Sequence, residues 1–152
     1  MQGFPRLLND MLMQIYHNII RIEEEFLQTN GKINLNIREM HLIECVGDGE
    51  AAGKTLSEIA GYLKVARPSA TVGVKKLEKR GYLNKSGSDE DGRVVHITLT
   101  REGRKVYLYH KKYHMDMVSE ISGDFSEEEQ DMLLRVMEKL NKFFSRDVEA
   151  MA

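Results

Sequence analysis

The stretch TLSEIAGYLKVARPSATVGVKKLEKRGYLNKSGSDEDGRVVHITLT, residues 55 to 100, decides the fold. Thr55 stands three residues before Glu58, the spacing at which a hydroxyl and a carboxylate cap a helix N-terminus reciprocally; Leu56, Ile59, Ala60 and Leu63 then recur at helical spacing. A second helix follows, with Pro68 in its first turn, an inward stripe of Ala70, Val74 and Leu77, and Gly81 as its stop. Two β-rich runs then flank Asp91-Gly92, a pair suited to the positive φ angles of a hairpin turn. Helix, tight turn, basic helix and basic hairpin, in that order, make a winged helix-turn-helix. The outward face of the second helix carries Arg67, Ser69, Thr71, Lys75 and Lys79 beside a hairpin tip with Arg93, an arrangement that fits a major groove and the neighbouring minor groove. Lys54, Thr55, Val72 and Lys76 complete the expected DNA-contacting set, Val72 being suited to a thymine methyl rather than to a hydrogen bond.

Charge sorts along the chain in a way its net value of −2 hides. Residues 54 to 105 hold twelve Lys or Arg against six Asp or Glu, so this part is +6 and the remainder −8. The part expected to dock is the positive one. A local basic face releases counterions from DNA whatever the overall isoelectric point, whereas a head that binds protein through apolar surface would be insensitive to salt.

Outward from this head, the 152 residues, 41% apolar, suffice for one or two modest cores. Residues 4 to about 29 show helical spacing in Leu7, Met11, Ile15, Ile19, Ile22 and Phe26. Asn36 and Glu39 cap a second helix that is apolar on most sides. The DGEAAGK loop then leads to Thr55. After the hairpin, Thr100 caps a long helix closed by Gly123-Asp124, and Ser126 with Glu129 opens a last helix through Leu133, Met137, Leu140 and Phe144. The expected fold is therefore mainly α with a small β-hairpin wing: a single unit over 1–152, with the head at about 36–100 and dimerisation helices at about 4–29 and 101–149. The outer helices carry more apolar surface than the head covers, so a homodimer reading a pseudo-palindromic operator is expected. No apolar run is long enough to span a membrane and no signal-peptide pattern opens the chain, so a cytoplasmic location is expected. Cys45, the single cysteine, reads either as a small core residue or as a redox sensor.

The motifs LSEIAGYLKVARPSATVGVKKLEKRGYL, Asp91-Gly92-Arg93 with VVHITLT, and Thr100-Arg101-Glu102-Gly103 resemble the MarR family of transcriptional regulators over essentially the whole chain. The resemblance implies that Asp91 braces the wing and Arg93 enters the minor groove. The chain departs from many relatives in having Val72 and Gly73 where they place Arg and Leu. Within the family, IEEEF, IREMHLIE, RVVHITLT, HKKYHMDMV and SEEE resemble the FabT-like branch. That branch implies a repressor of fatty-acid synthesis genes with long-chain acyl-acyl carrier protein as co-repressor. The effector pocket would then lie around Met40, His41, Glu44, His110 and His114.

His110 and His114 are four apart on one helix, a spacing suited to two ligands of one metal ion. A zinc-responsive branch of the family implies a site from Glu23 or Glu24, His41, His110 and His114, which makes zinc the alternative cofactor to none at all. A buried hydrogen-bonded network is the third reading of the same residues. Catalysis is not expected, because the chain has no phosphate-binding glycine loop and no nucleophile paired with a base.

Overall fold

The computed structural model describes residues 3–29, 31, 33–88 and 94–150. They fall into two compact units, Met1–Leu108 and Tyr109–Ala152. The first contains α1 (Phe4–Thr29), α2 (Ile37–Gly47), a 3-10 turn (Glu50–Ala52), β1 (Lys54–Thr55), α3 (Leu56–Leu63), α4 (Arg67–Lys79), β2 (Leu83–Ser88), β3 (Val94–Leu99) and the start of α5 (Arg101–Gly123). The second holds the rest of α5 and α6 (Glu127–Ala150).

The expected caps form with their hydrogen bonds. The Asn36 and Thr55 side chains each accept from the backbone N–H three residues on, and Glu39 and Glu58 return the bond. The Ser126–Glu129 pair does the same at α6. Each box satisfies two otherwise orphaned N–H groups, which is why three helices begin where short polar residues stand. The core of the first unit is the meeting of inward stripes: Met40, Ile43 and Val46 of α2, Ile59 of α3, Val74 and Leu77 of α4, Leu83, Ile97 and Leu27, all essentially inaccessible. Cys45 is buried among them.

One feature corrects the expected outline. The loop before Thr55 is not plain loop: it contains the 3-10 turn and a two-residue strand, so the wing belongs to a three-stranded antiparallel sheet in the order β1-β3-β2. Lys54 pairs with Ile97 and Thr55 with His96, while β2 and β3 run in register from Leu83↔Leu99 to Ser88↔Val94. A two-residue strand has no periodicity to betray it and exists only because β3 offers a free edge. The expected tight turn between α3 and α4 forms, with Lys64 in the left-handed conformation, φ of 51°, that glycine usually supplies.

At the far end of α4, the Gly81 and Tyr82 N–H groups close the helix on the Glu78 and Leu77 carbonyls. Thr100 fastens this corner to α5. Its hydroxyl donates to the Gly81 carbonyl at 2.6 Å and accepts the Gly103 N–H at 3.0 Å, while its own N–H reaches the Tyr82 carbonyl at 3.1 Å. A Cβ on Gly103 would stand 2.1 Å from the Tyr82 oxygen, so the fourth residue of Thr100-Arg101-Glu102-Gly103 has to be glycine for α5 to start there.

In the second unit, Gln130 holds the α5–α6 corner by donating to the Ser122 and Phe125 carbonyls. No helix among the described residues is long and apolar enough to cross a membrane.

Candidate nucleic-acid interface

Of the expected contact residues on α4, Arg67, Ser69, Val72, Lys75 and Lys79 are exposed, and Val72 retains 66% of its surface. Ala70, Val74 and Leu77 hold the opposite face in the core, so helical periodicity leaves these side chains outward. Pro68 in the first turn and the absence of an acidic residue there leave free N–H groups and a positive helix end, both suited to a phosphate. Thr71 is half-buried, and its hydroxyl donates to the Arg67 carbonyl at 3.0 Å. What Thr71 offers a base edge in this rotamer is therefore a methyl group and oxygen lone pairs, not a free donor.

Lys76, also exposed, makes an ion pair. Its ammonium lies 2.6 Å from the Glu39 carboxylate of α2, on the flank of α4 that meets α2. Arg80 reaches the same carboxylate at 3.1 Å, and a third cation, Lys85 of β2, pairs with Glu78 at 3.1 Å. Burial alone would raise the Glu39 carboxyl, but Lys76, the Asn36 N–H and Arg80 outweigh it and hold the group below the ordinary glutamate range.

Lys54 and Thr55 stand at the sheet edge, where Thr55 spends its oxygen on the α3 cap. Asp91, Gly92 and Arg93, the expected wing tip, lie outside the described residues. Sequence reasoning also passed over Lys64, exposed at the turn leading into α4; no signal marks it, because the left-handed position carries neither glycine nor asparagine.

The departure at Gly73 has a physical reason. A Cβ there would stand 3.0 Å from Leu42 Cδ1, so glycine lets α4 lie close on α2.

An exposed basic helix face seated on a three-helix core with a three-stranded sheet alongside is the architecture of a DNA reader, and known proteins agree. Residues 35–95 match the model of the MarR family. FabT of Streptococcus pneumoniae, solved in complex with DNA, is 33% identical, superimposes with a TM-score of 0.87, and is covered to 97% by 93% of this chain. The chain belongs to the MarR family. It is a DNA-binding transcriptional regulator, not an enzyme. PchR of Bacillus subtilis (strain 168), an HTH-type transcriptional regulator, is 25% identical over 150 residues, 88% of each protein. The MepR–DNA complex of S. aureus, 17% identical with a TM-score of 0.72 over 94% of this chain and 97% of that one, shares the fold.

The residues expected at an effector or metal site distribute as follows. Met40 is wholly enclosed among the core side chains of the first unit. His41 and Glu44 are half-buried. The buried Glu23 carboxylate lies 3.8 Å from His41 Nε2, whereas Glu24 is exposed and lines a groove of about 860 Å³ with Leu27, Arg38, Glu39, Lys76 and Arg80. Glu24 and Glu23 thus face different ways, as neighbours on a helix must. In the second unit, His110 Nε2 and His114 Nε2 are 3.2 Å apart with their rings edge to face. Burial pushes the Cys45 thiol up to about 11, which leaves it protonated and unreactive near neutrality.

Proposed function

We propose that this regulator is a homodimeric repressor of fatty-acid synthesis genes, reading a pseudo-palindromic operator, with long-chain acyl-acyl carrier protein as its co-repressor. The observation that carries this reading is the likeness to the pneumococcal FabT over nearly the whole chain, at an identity above that at which fold alone is shared. Dimerisation is supported by apolar side chains that remain about half exposed in the single chain. On α1 these are Leu7, Met11, Ile15 and Ile19, and on α6 Leu133, Met137 and Phe144, all exposed at helical spacing.

An acyl chain strengthens repression only through a difference in affinity between the two arrangements of the heads. A tenfold change in operator binding needs about 1.4 kcal/mol, which two buried methylenes at about 0.8 kcal/mol each supply. Operator affinity measured against acyl carrier protein loaded with acyl groups of increasing length tests the reading. Binding is expected to tighten progressively with chain length and to ignore chelators; a flat series refutes the acyl effector.

One distance favours zinc as a second reading. Two nitrogens on a tetrahedral zinc at about 2.0–2.1 Å stand about 3.3 Å apart, close to the His110–His114 separation of 3.2 Å. Those two residues would hold the ion, with His41 and Glu23 as the remaining candidates by resemblance. A neutral N–H···N bond has a similar length, so the test is chemical: loss of operator binding in chelator, abolished by His114→Ala, selects zinc.

A further inference from the structure

The family and the groove geometry explain why α4 reads DNA, but not what holds α4 at the angle at which it reads. Two contacts with α2 do this. Near the middle of α4, Gly73 lies on Leu42. One turn further on, Lys76 and Arg80, four apart and so on one flank, converge on the Glu39 carboxylate at 2.6 and 3.1 Å. We propose that Glu39 is a positioning residue for operator recognition: its carboxylate clasps the end of the recognition helix to α2 and withdraws Lys76 from the phosphate-binding set.

Three features set this clasp apart from an ordinary surface ion pair. First, the carboxylate is fixed from behind, because its Oε2 also accepts the Asn36 N–H at 3.0 Å in the α2 capping box. It cannot follow cations that move. Second, only 11% of the Glu39 side chain and 27% of Arg80 are accessible, so the pair is weakly screened, unlike exposed pairs whose worth is close to nothing. Third, Arg80 is itself over-determined. It donates to the Asn34 carbonyl before α2 and lies over the Tyr82 ring, 5.5 Å from its centre, at the start of the wing. One guanidinium therefore joins the α1–α2 loop, α2 and the corner between α4 and β2.

Position matters here because base and phosphate contacts differ in tolerance. α4, with thirteen residues, is about 20 Å long. A tilt of about 10° about its C-terminal end moves the N-terminal side chains by roughly 3 Å, more than a hydrogen bond to a base edge survives. Contacts to phosphate adapt, since long flexible lysines follow the backbone and carry no sequence information. Loosening the clasp should accordingly cost operator affinity while sparing non-specific affinity. Freed from Glu39, Lys76 becomes available to a phosphate.

The test uses the full chain, a duplex that the parent protein selects from a randomised pool, and a random-sequence duplex of equal length. Glu39→Gln keeps the capping box, in which glutamine serves as well, but removes the charge. Expected is a fall of about tenfold or more on the selected duplex, with random-sequence affinity held or raised and its salt slope steeper by about 0.9. Lys76→Gln should weaken the selected duplex and leave the random-sequence slope unchanged. Equal proportional losses of Glu39→Gln on both duplexes, or no loss on either, overturn the proposal. A random-sequence slope shallower by about one in Lys76→Gln also overturns it, because Lys76 is then a phosphate contact. Lys76 is 57% exposed and its substitution leaves the core intact, so this second variant decides the matter even if Glu39→Gln fails to fold.

Discussion

Placing two aspartates on α6, Leu133→Asp with Met137→Asp, puts charge on the face proposed to meet a second copy. The residues are four apart and thus on one stripe, and they retain 41% and 54% of their surface in the single chain. Roughly half of each side chain is left for a partner to cover. Full burial of such a side chain is worth about 1.5–3 kcal/mol, so about 1 kcal/mol of apolar gain is lost per site. Enclosing an unpaired polar group adds a penalty of about 1–3 kcal/mol. A two-fold axis counts each site twice, so four sites at about 2–4 kcal/mol give roughly 8–16 kcal/mol. Every 1.4 kcal/mol is a factor of ten, and the dimer dissociation constant should rise by at least about 10⁵. Sedimentation velocity at micromolar protein should show a monomer with an unchanged circular dichroism spectrum. Loss of the two-fold arrangement should also abolish the preference for a palindromic over a single half-site duplex. A double variant that sediments as a dimer with the parent's dissociation constant would remove α6 from the interface.

On the DNA face, Lys79→Ala should weaken all duplexes alike and lower the salt slope by about one, while Thr71→Ala should relax preference at one or two base pairs without altering the slope; competition binding against a randomised pool separates the two. Gly103→Ala should lower stability by roughly 2–4 kcal/mol because its Cβ meets the Tyr82 carbonyl. Gly61→Ala, with nothing within 4 Å and an exposed place in α3, should raise stability by up to about 1 kcal/mol, and denaturant melts of the pair check both signs. Acid should weaken the fold partly through Glu39: its carboxyl is lowered in the folded state, so its contribution is complete above the unfolded value of about 4.3 and is lost as pH falls through the lower folded value. Glu39→Gln should flatten that part of the stability–pH curve, and an unchanged acid limb would contradict the clasp's ionic character. Cys45, with its thiol pushed up to about 11, should resist iodoacetamide at pH 7.5 until the protein is unfolded, and rapid labelling of the native protein would reopen a redox role.

Much of this molecule is legible in one dimension because its devices are local. Capping boxes at Asn36, Thr55 and Ser126 need only residues three apart, and the inward stripes of α3 and α4 need only the 3.6-residue period, so helix positions and the outward basic face of Arg67, Ser69, Lys75 and Lys79 follow from the chain alone. Tertiary structure decided what depends on partners far along the sequence. Lys76 is indistinguishable from Lys75 and Lys79 as a letter, yet it pairs with Glu39, thirty-seven residues earlier. β1 is a strand only because β3 lies beside it, and Gly73 is small because Leu42 lies beneath it. Periodicity records which side of a helix is dry, but not which distant side chain makes it so. Charge patterning likewise counts cations without showing which of them a buried carboxylate has already claimed.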